Sequence, residues 1–377
     1  MSSHPIAEAG SGRARLPSTA TIRELALVAG AAGCGVCAAD SFPAVEATLR
    51  SHITEGTNAK MAFTYRDPAV ATDPRRTFPW AERLVAVAWP YLPAAGSPGP
   101  EISGTGRIAR FAAEDHYRGL HAVLDTIARR LVSAGYQAVT ISDDSRLVDR
   151  AVAVRAGVGW WGKNTMVLAP GAGPWLLLGA VVTNAPLETS APMARDCGTC
   201  TACLPACPTG ALLAPGVLDA RRCLAHILQS GGVIPRELRA AVGDRIYGCD
   251  DCLEACPPGG RVLAAAPSPR ARVDLAGLLA TPDDELVARY SHFFIPGRRA
   301  RYLRRNLLVA LGNSGDERTL PVLAGYLGHP DWLLRLHAGW AIGAIGGTGA
   351  GPVLDVALEA ETHEEVRREL VIVRGAT

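Results

Sequence analysis

CGTCTACLPACPTGAL, residues 197–212, decides how the rest of this chain is read. Cys197, Cys200, Cys203 and Cys207 fall in the order C-x2-C-x2-C-x3-C, with Pro208 directly behind. That spacing is the bacterial-type [4Fe–4S] run, in which three thiolates hold one cubane and the fourth reaches over to a second. A second set follows: Cys223 alone, then Cys249, Cys252 and Cys256 with Pro257 behind it. The rule assigns Cys197, Cys200, Cys203 and Cys256 to one cluster, and Cys207, Cys223, Cys249 and Cys252 to the other. Zinc sites also use C-x2-C, but as two separated pairs or with a histidine partner. Disulfides belong to exported chains, and nothing here looks exported. Such a chain moves electrons one at a time.

At 377 residues there is room for two or three domains, each with its own core. A formal charge of +2 is close to neutral, so any nucleic-acid surface must be a local patch. Residues 1–20 are rich in Ser, Gly and Ala, hold no apolar stretch of signal-peptide length, and are expected to form a disordered tail. The most apolar run, Trp175–Val182, is too short to span a bilayer. A cytoplasmic protein is expected.

Working outward from the cysteines, the spacing upstream predicts a helix over Thr21–Gly33, a strand in the apolar segment after it and another over Leu84–Tyr91. A Pro/Gly loop to about Gly106 follows, then a helix (Tyr117–Gly135), a strand (Gln137–Ser142) and a helix (Ser145–Ala156) stopped by Gly157. Two more strands are expected at Thr165–Ala169 and Trp175–Thr183. This alternation indicates an α/β layer structure, with a parallel sheet. Downstream, Ala310-Leu311-Gly312 ahead of Pro321-Val322-Leu323 recurs as Ala344-Ile345-Gly346 ahead of Pro352-Val353-Leu354, the pattern of paired HEAT-type helices. The expected division is an α/β domain at 21–190, a ferredoxin-like domain with two clusters at 191–262, a linker at 263–281 and a helical repeat domain at 282–377.

Each candidate site has a plain alternative. Cys34 and Cys37 form a C-x2-C in an apolar segment, where small buried cysteines behave as ordinary hydrophobes. Gly157, Gly159 and Gly162 spell G-x-G-x-x-G but follow a helix and lead into a strand, which excludes a dinucleotide fingerprint. These glycines are expected to let backbone approach something bulky, with Trp160 and Trp161 either as its walls or as plain packing residues and Lys163 and Asn164 as polar contacts. Asp143 and Asp144 sit between a strand and a helix, where an N-cap or a carboxylic acid at a ligand-binding strand end are both open readings. Arg298, Arg299, Arg301, Arg304 and Arg305 crowd into nine positions of a near-neutral chain and favour a phosphate-backbone contact, which Arg335 and His337 would extend.

Together these pieces resemble the epoxyqueuosine reductase family, relatives of the corrinoid reductive dehalogenases. The resemblance runs from about Ile22 to near the end, most specifically in RAGVGWWGKNTMVLAP (155–170), the opening cysteine run, LDARRC (218–223) and RIYGCDDC (245–252). It implies an α/β cobalamin-binding domain, two [4Fe–4S] clusters, base-off cobalamin, and reduction of an epoxide on a tRNA wobble base to give queuosine. Counting back from Arg155-Ala156-Gly157, Asp143 matches the family's proton-donating aspartate, whose pKa burial would raise. Trp160, Lys163, Asn164 and Ala225 would lie beside the cofactor, and the arginine-rich segment would face tRNA. The partners implied are the anticodon region of tRNA and an external electron donor; no membrane is involved, and a monomer is expected. The chain departs from the pattern at Arg146 (usually proline), at Ala113-Glu114-Asp115-His116-Tyr117, at Ala225 (usually a hydroxyl residue) and at Pro257-Pro258-Gly259. These departures leave two alternatives: a cobalamin-dependent reductase of a small epoxide, an organohalide or another modified nucleoside, or a ferredoxin-type electron carrier.

Overall fold

The computed structural model describes residues 15–92, 104–266 and 271–375. They form two compact units, each assembled from three stretches. The first takes Met1–Ala94, Asp115–Arg221 and Asp251–Pro267; the second takes Ala95–Glu114, Arg222–Asp250 and Ser268–Thr377.

This division differs from the chain-order partition expected above. The cysteine-rich stretch contributes to both units, because Leu224, Ile227, Leu228 and Ile246 are buried in the same core as Leu307, Leu308 and Leu336. The expected linker holds a strand (Ala271–Asp274) and a helix (Leu275–Ala280). Most of the expected N-terminal tail and of the Pro/Gly loop lies outside the described residues.

In the first unit, helix α1 (Thr19–Val28) starts where the Ser18 hydroxyl accepts from the Thr21 amide, inside the stretch expected to be tail. Strand β1 (Gly33–Ala38) and strand β2 (Arg83–Pro90) follow, then helix α2 (Tyr117–Ser133). Helix α2 buries Leu120, Val123, Leu124, Ile127, Ala128 and Leu131, the i, i+3, i+4 stripe of a helix lying on a sheet. Strand β3 (Ala138–Ser142), helix α3 (Asp149–Arg155) and strand β4 (Leu176–Thr183) complete the layer. Helix α3 begins later than expected, because the Asp144 carboxylate accepts from the Arg146 amide and holds the intervening residues in a turn.

The sheet order is β1-β2-β4-β3, and every neighbouring pair is antiparallel. The parallel sheet expected from the alternation is therefore corrected. Strands β2 and β3, joined through α2, do run in the same direction, since both oppose β4. β4 slots between them, so the β-α-β unit is split and no two parallel strands touch. Cys34 and Cys37 stand three apart on β1 and so point to opposite faces. Burial pushes both thiols up to about 12, and they are inert hydrophobes as expected.

In the second unit, strand Thr105–Ile108 pairs parallel with Arg245–Tyr247 and antiparallel with Ala271–Asp274. Helices α4 (Ala300–Gly312), α5 (Leu320–Leu327), α6 (Trp332–Ile345), α7 (Ala350–Ala360) and α8 (Glu364–Arg374) stack as the repeat pattern predicts. A Cβ at Gly312 would lie 2.6 Å from the Ala341 Cα, so glycine is what lets α4 and α6 approach. No helix among the described residues is long and apolar enough to cross a membrane.

Candidate active site

The first-cluster cysteines share one unit. Successive turns shape the run: the Cys200 amide donates to Cys197 O at 3.0 Å, Leu204 N to Thr201 O at 3.0 Å and Cys207 N to Leu204 O at 3.2 Å. Cys203 and Cys256 are buried, and Cys256 caps the N-terminus of helix Pro257–Ala265. Burial pushes the Cys203 and Cys256 thiols up, and the neighbouring Cys197 and Cys200 add to it in both. Four mutually repelling thiolates call for a cationic centre among them. No three His, Cys, Asp or Glu side chains of the described residues converge on a single ion. A cubane asks for no such convergence, since each of its four cysteines takes a separate iron. The donors fit a [4Fe–4S] cluster.

Of the second set, burial raises Cys207, but N–H donors outweigh it and hold the thiol below its ordinary range; the Ala211 amide reaches Sγ at 3.2 Å. Cys252 lies in helix Asp251–Glu254 of the same unit. In the second unit, Cys223 caps helix Leu224–Gln229 and Cys249 is half-buried after strand Arg245–Tyr247. Ala225 offers only a methyl and a carbonyl that accepts from Gln229.

The WWGKN segment is a short hairpin, with Trp160 opposite Leu168 and Trp161 opposite Val167. Its expected role as a cofactor wall takes a different form in the structure. Lys163 Nζ donates to Gly198 O at 2.6 Å, between Cys197 and Cys200. The Asn164 amide reaches Cys252 O at 3.4 Å, while its Oδ1 accepts from the Met166 amide. Trp160 packs with Leu168, Cys256 and Met193. The hairpin thus grips loops of both cysteine motifs.

Asp143 follows directly on β3 with φ +48°, a left-handed conformation uncommon for a non-glycine residue. Its amide donates to Asp149 Oδ2 at 3.2 Å. Burial raises the Asp143 carboxyl above its ordinary range, and the adjacent Asp144 raises it further. Burial would raise Asp144 too, but the Arg146 hydrogen bonds win and that carboxyl sits low. Two neighbouring acids are therefore held in opposite states, Asp143 biased towards the protonated form and Asp144 towards the ionised one. Arg146, the first departure, is tied to Asp144 at 2.6–2.9 Å and lies over the Phe78 ring.

Asp149 escaped the sequence reading because an acid in a helix's first turn is ordinary. Its Oδ1 is enclosed without a partner, and burial, then Asp143, push the carboxyl well up. Its folded pKa therefore exceeds the unfolded value of ~3.9. The resulting penalty is absent at low pH and grows as pH rises through the folded value. As pH rises from about 4 through that folded value, the melting temperature of the anaerobic holoprotein should fall more steeply than that of Asp149→Asn, whose amide oxygen still accepts from Asp143. Parallel melting profiles would contradict this.

The arginine segment is corrected in part. Arg305 is 1% exposed and donates to Gly232 O, Ile227 O and Asn306 Oδ1; Arg304 is 7% exposed and held by Asp283, Tyr326 and the carbonyls of Leu279 and Thr281. Neither can reach a phosphate. Arg298 donates to Val287 O, Ser291 O and Phe293 O, and Arg301 pairs with Asp331. Arg299 is exposed and unengaged among the described residues. His337 is fully buried, and Arg335 is clamped by Glu361, so neither extends the surface.

Comparison with known proteins accords with this geometry. Residues 196–259 match the 4Fe-4S double cluster binding domain, and residues 298–373 match HEAT repeats. Epoxyqueuosine reductase of Bacillus subtilis (strain 168) is 34% identical over 349 residues, covering 89% of this chain and 90% of that protein. The Bacillus cereus enzyme is 32% identical over 326 residues, covering 83% and 86%. A crystal structure of epoxyqueuosine reductase with a tRNA-Tyr epoxyqueuosine-modified stem loop superposes with a TM-score of 0.84 at 31% identity, covering 94% of this chain and 96% of that one. Another, from Bacillus subtilis, has a catalytic loop named for an aspartate swung out of the active site, with the same TM-score of 0.84 and 31% identity, covering 94% of this chain and 97% of that one. A cluster-bearing unit, a raised acid at a strand end and a HEAT stack, combined with identity of this extent, show that the chain belongs to the epoxyqueuosine reductase family.

Proposed function

We propose that this protein reduces the epoxide of epoxyqueuosine in tRNA to the alkene of queuosine, in the cytoplasm, with two [4Fe–4S] clusters and base-off cobalamin. The observation that carries the reading is the raised Asp143 carboxyl in a family shown by the whole chain. Both C–O bonds to the epoxide oxygen break, a C=C bond forms, and the oxygen leaves as water after taking up two electrons and two protons. When bound, the clusters held by the eight motif cysteines would supply one-electron transfer, and a corrin would supply the cobalt redox chemistry that side chains lack.

The chain's own part is proton delivery and placement. Asp143, whose carboxyl burial and then Asp144 bias towards the protonated form, gives its proton to the departing oxygen. The Asp149 carboxyl accepts from the Asp143 amide and so holds the backbone that carries the acid. Two departures from the family pattern have internal explanations that leave the substrate reading intact. Arg146 neutralises Asp144. Gly259 accepts the Trp175 indole N–H at 3.0 Å where a Cβ would meet Leu253 O at 2.3 Å.

Anaerobic holoenzyme with cobalamin and a one-electron reductant should convert epoxyqueuosine-bearing tRNA to queuosine-bearing tRNA. Failure to convert at full iron and corrinoid content would overturn the reading. Arg299 is the remaining arginine offered to phosphate, so Arg299→Ala should weaken tRNA binding and flatten the log–log salt slope by about 0.7–0.9. Nitrocellulose filter binding across a salt series reads this directly. An unchanged slope would remove Arg299 from the interface.

A further inference from the structure

We infer that the hairpin Trp160–Leu168 is a redox-tuning clamp on the cluster of Cys197, Cys200, Cys203 and Cys256: the Trp160 indole N–H donates to a sulfur of that cluster, and Lys163 sets a fixed positive charge beside it. The inference rests on the cluster assignment alone and is independent of the tRNA substrate.

The Trp160 side chain is 6% exposed and its Nε1 has no hydrogen-bond partner among the described residues. A buried N–H without an acceptor is costly, and such groups in native proteins usually find a partner supplied from outside the chain. The ring packs directly on Cys256, with Leu168 and Met193 as the other walls. Once iron is bound, the polar acceptors added to that surface are the cysteinyl and inorganic sulfurs. The Arg195 guanidinium lies 4.7 Å over the ring face, and a cation there draws density from the indole and makes its N–H the better donor.

Lys163 acts through charge. Its Nζ is pinned by Gly198 O at 2.6 Å, one residue from Cys197, and its own carbonyl accepts from Gly216 N at 2.8 Å. The ammonium is therefore held beside the loop that carries Cys197 and Cys200. One-electron reduction adds a negative charge to the cubane, and both hydrogen bonds to sulfur and nearby cations favour that reduced form. The hairpin thus makes this cluster easier to reduce than it would be without the Trp160 N–H and the Lys163 charge.

The test is an anaerobic potentiometric titration of the intact holoprotein, with each reduced cluster followed by electron paramagnetic resonance. Trp160→Phe keeps the packing and removes the N–H; Lys163→Met keeps the stem and removes the charge. Each should make the first cluster harder to reduce by about tenfold in the equilibrium, ~59 mV for a one-electron couple, at unchanged iron content and with the second cluster unmoved. Unshifted potentials, or equal shifts of both clusters, would overturn the inference. Should Trp160→Phe lose iron, native protein labelled with indole-15N serves instead, read by electron–nuclear double resonance in H2O and D2O. An exchangeable indole proton coupled to the reduced cluster is expected; its absence overturns the role of Trp160.

Discussion

Asp143→Asn should lower turnover of epoxyqueuosine-bearing tRNA by about 10²–10⁴-fold, the range for losing a positioned general acid, while iron content and cluster spectra stay as in the native protein. The amide keeps the size of the side chain and removes the proton it gives. Burial, helped by Asp144, holds the native carboxyl above its ordinary range, so the useful acid form persists to higher pH than for an exposed aspartate. Native turnover should therefore fall as pH rises through that elevated value. The residual activity of the variant should show no such limb. A pH–kcat series on both proteins, with iron analysis alongside, decides the matter. Near-native turnover in the variant would show that the oxygen takes its proton from elsewhere.

The second large effect is on stability. Arg305→Met should destabilise the second unit on the order of 3 kcal/mol. The guanidinium donates to Gly232 O at 2.6 Å, Ile227 O at 3.1 Å and Asn306 Oδ1 at 2.9 Å, and methionine leaves all three acceptors dry. Each orphaned acceptor costs about 1–3 kcal/mol. Part of that is offset, because burial pushes Arg305 down to about 9, a sign that holding its charge inside is itself unfavourable. Arg299→Ala, on the exposed neighbour, should leave stability within about 0.5 kcal/mol. Urea unfolding followed by circular dichroism compares the two, and equal midpoints would refute the structural role of Arg305.

That contrast also shows where the sequence could be read and where it could not. The cysteines were legible because iron–sulfur bonding fixes both residue type and spacing, and neither depends on the rest of the fold. Asp143 needed the family resemblance, since a lone Asp after a strand is equally a cap. Arg304 and Arg305 looked like solvated cations because composition counts charges without placing them. Their positions relative to Leu307, Leu308 and Val309 carried the missing signal: i+3 and i+4 spacing puts them on the apolar face of α4. The antiparallel sheet was hidden for another reason. Local alternation specifies that strands and helices exist, but the insertion of β4 between β2 and β3 is a long-range pairing. Lys163 and Asn164 were expected as polar contacts to a cofactor, yet their acceptors here are backbone carbonyls of loops that no local pattern ties to them.

The split of β2 and β3 by β4 bears on how the molecule is made. A chain still emerging from the ribosome has β1, β2 and β3 well before Leu176–Thr183 arrives, leaving two raw strand margins with unpaired amides and carbonyls facing an empty slot. Only when the late strand fills that slot does the layer close, and Cys197, the first of the cluster cysteines, lies fourteen residues after Thr183. Biogenesis is thereby ordered by topology: the scaffold is zipped shut before the thiols that capture iron leave the tunnel.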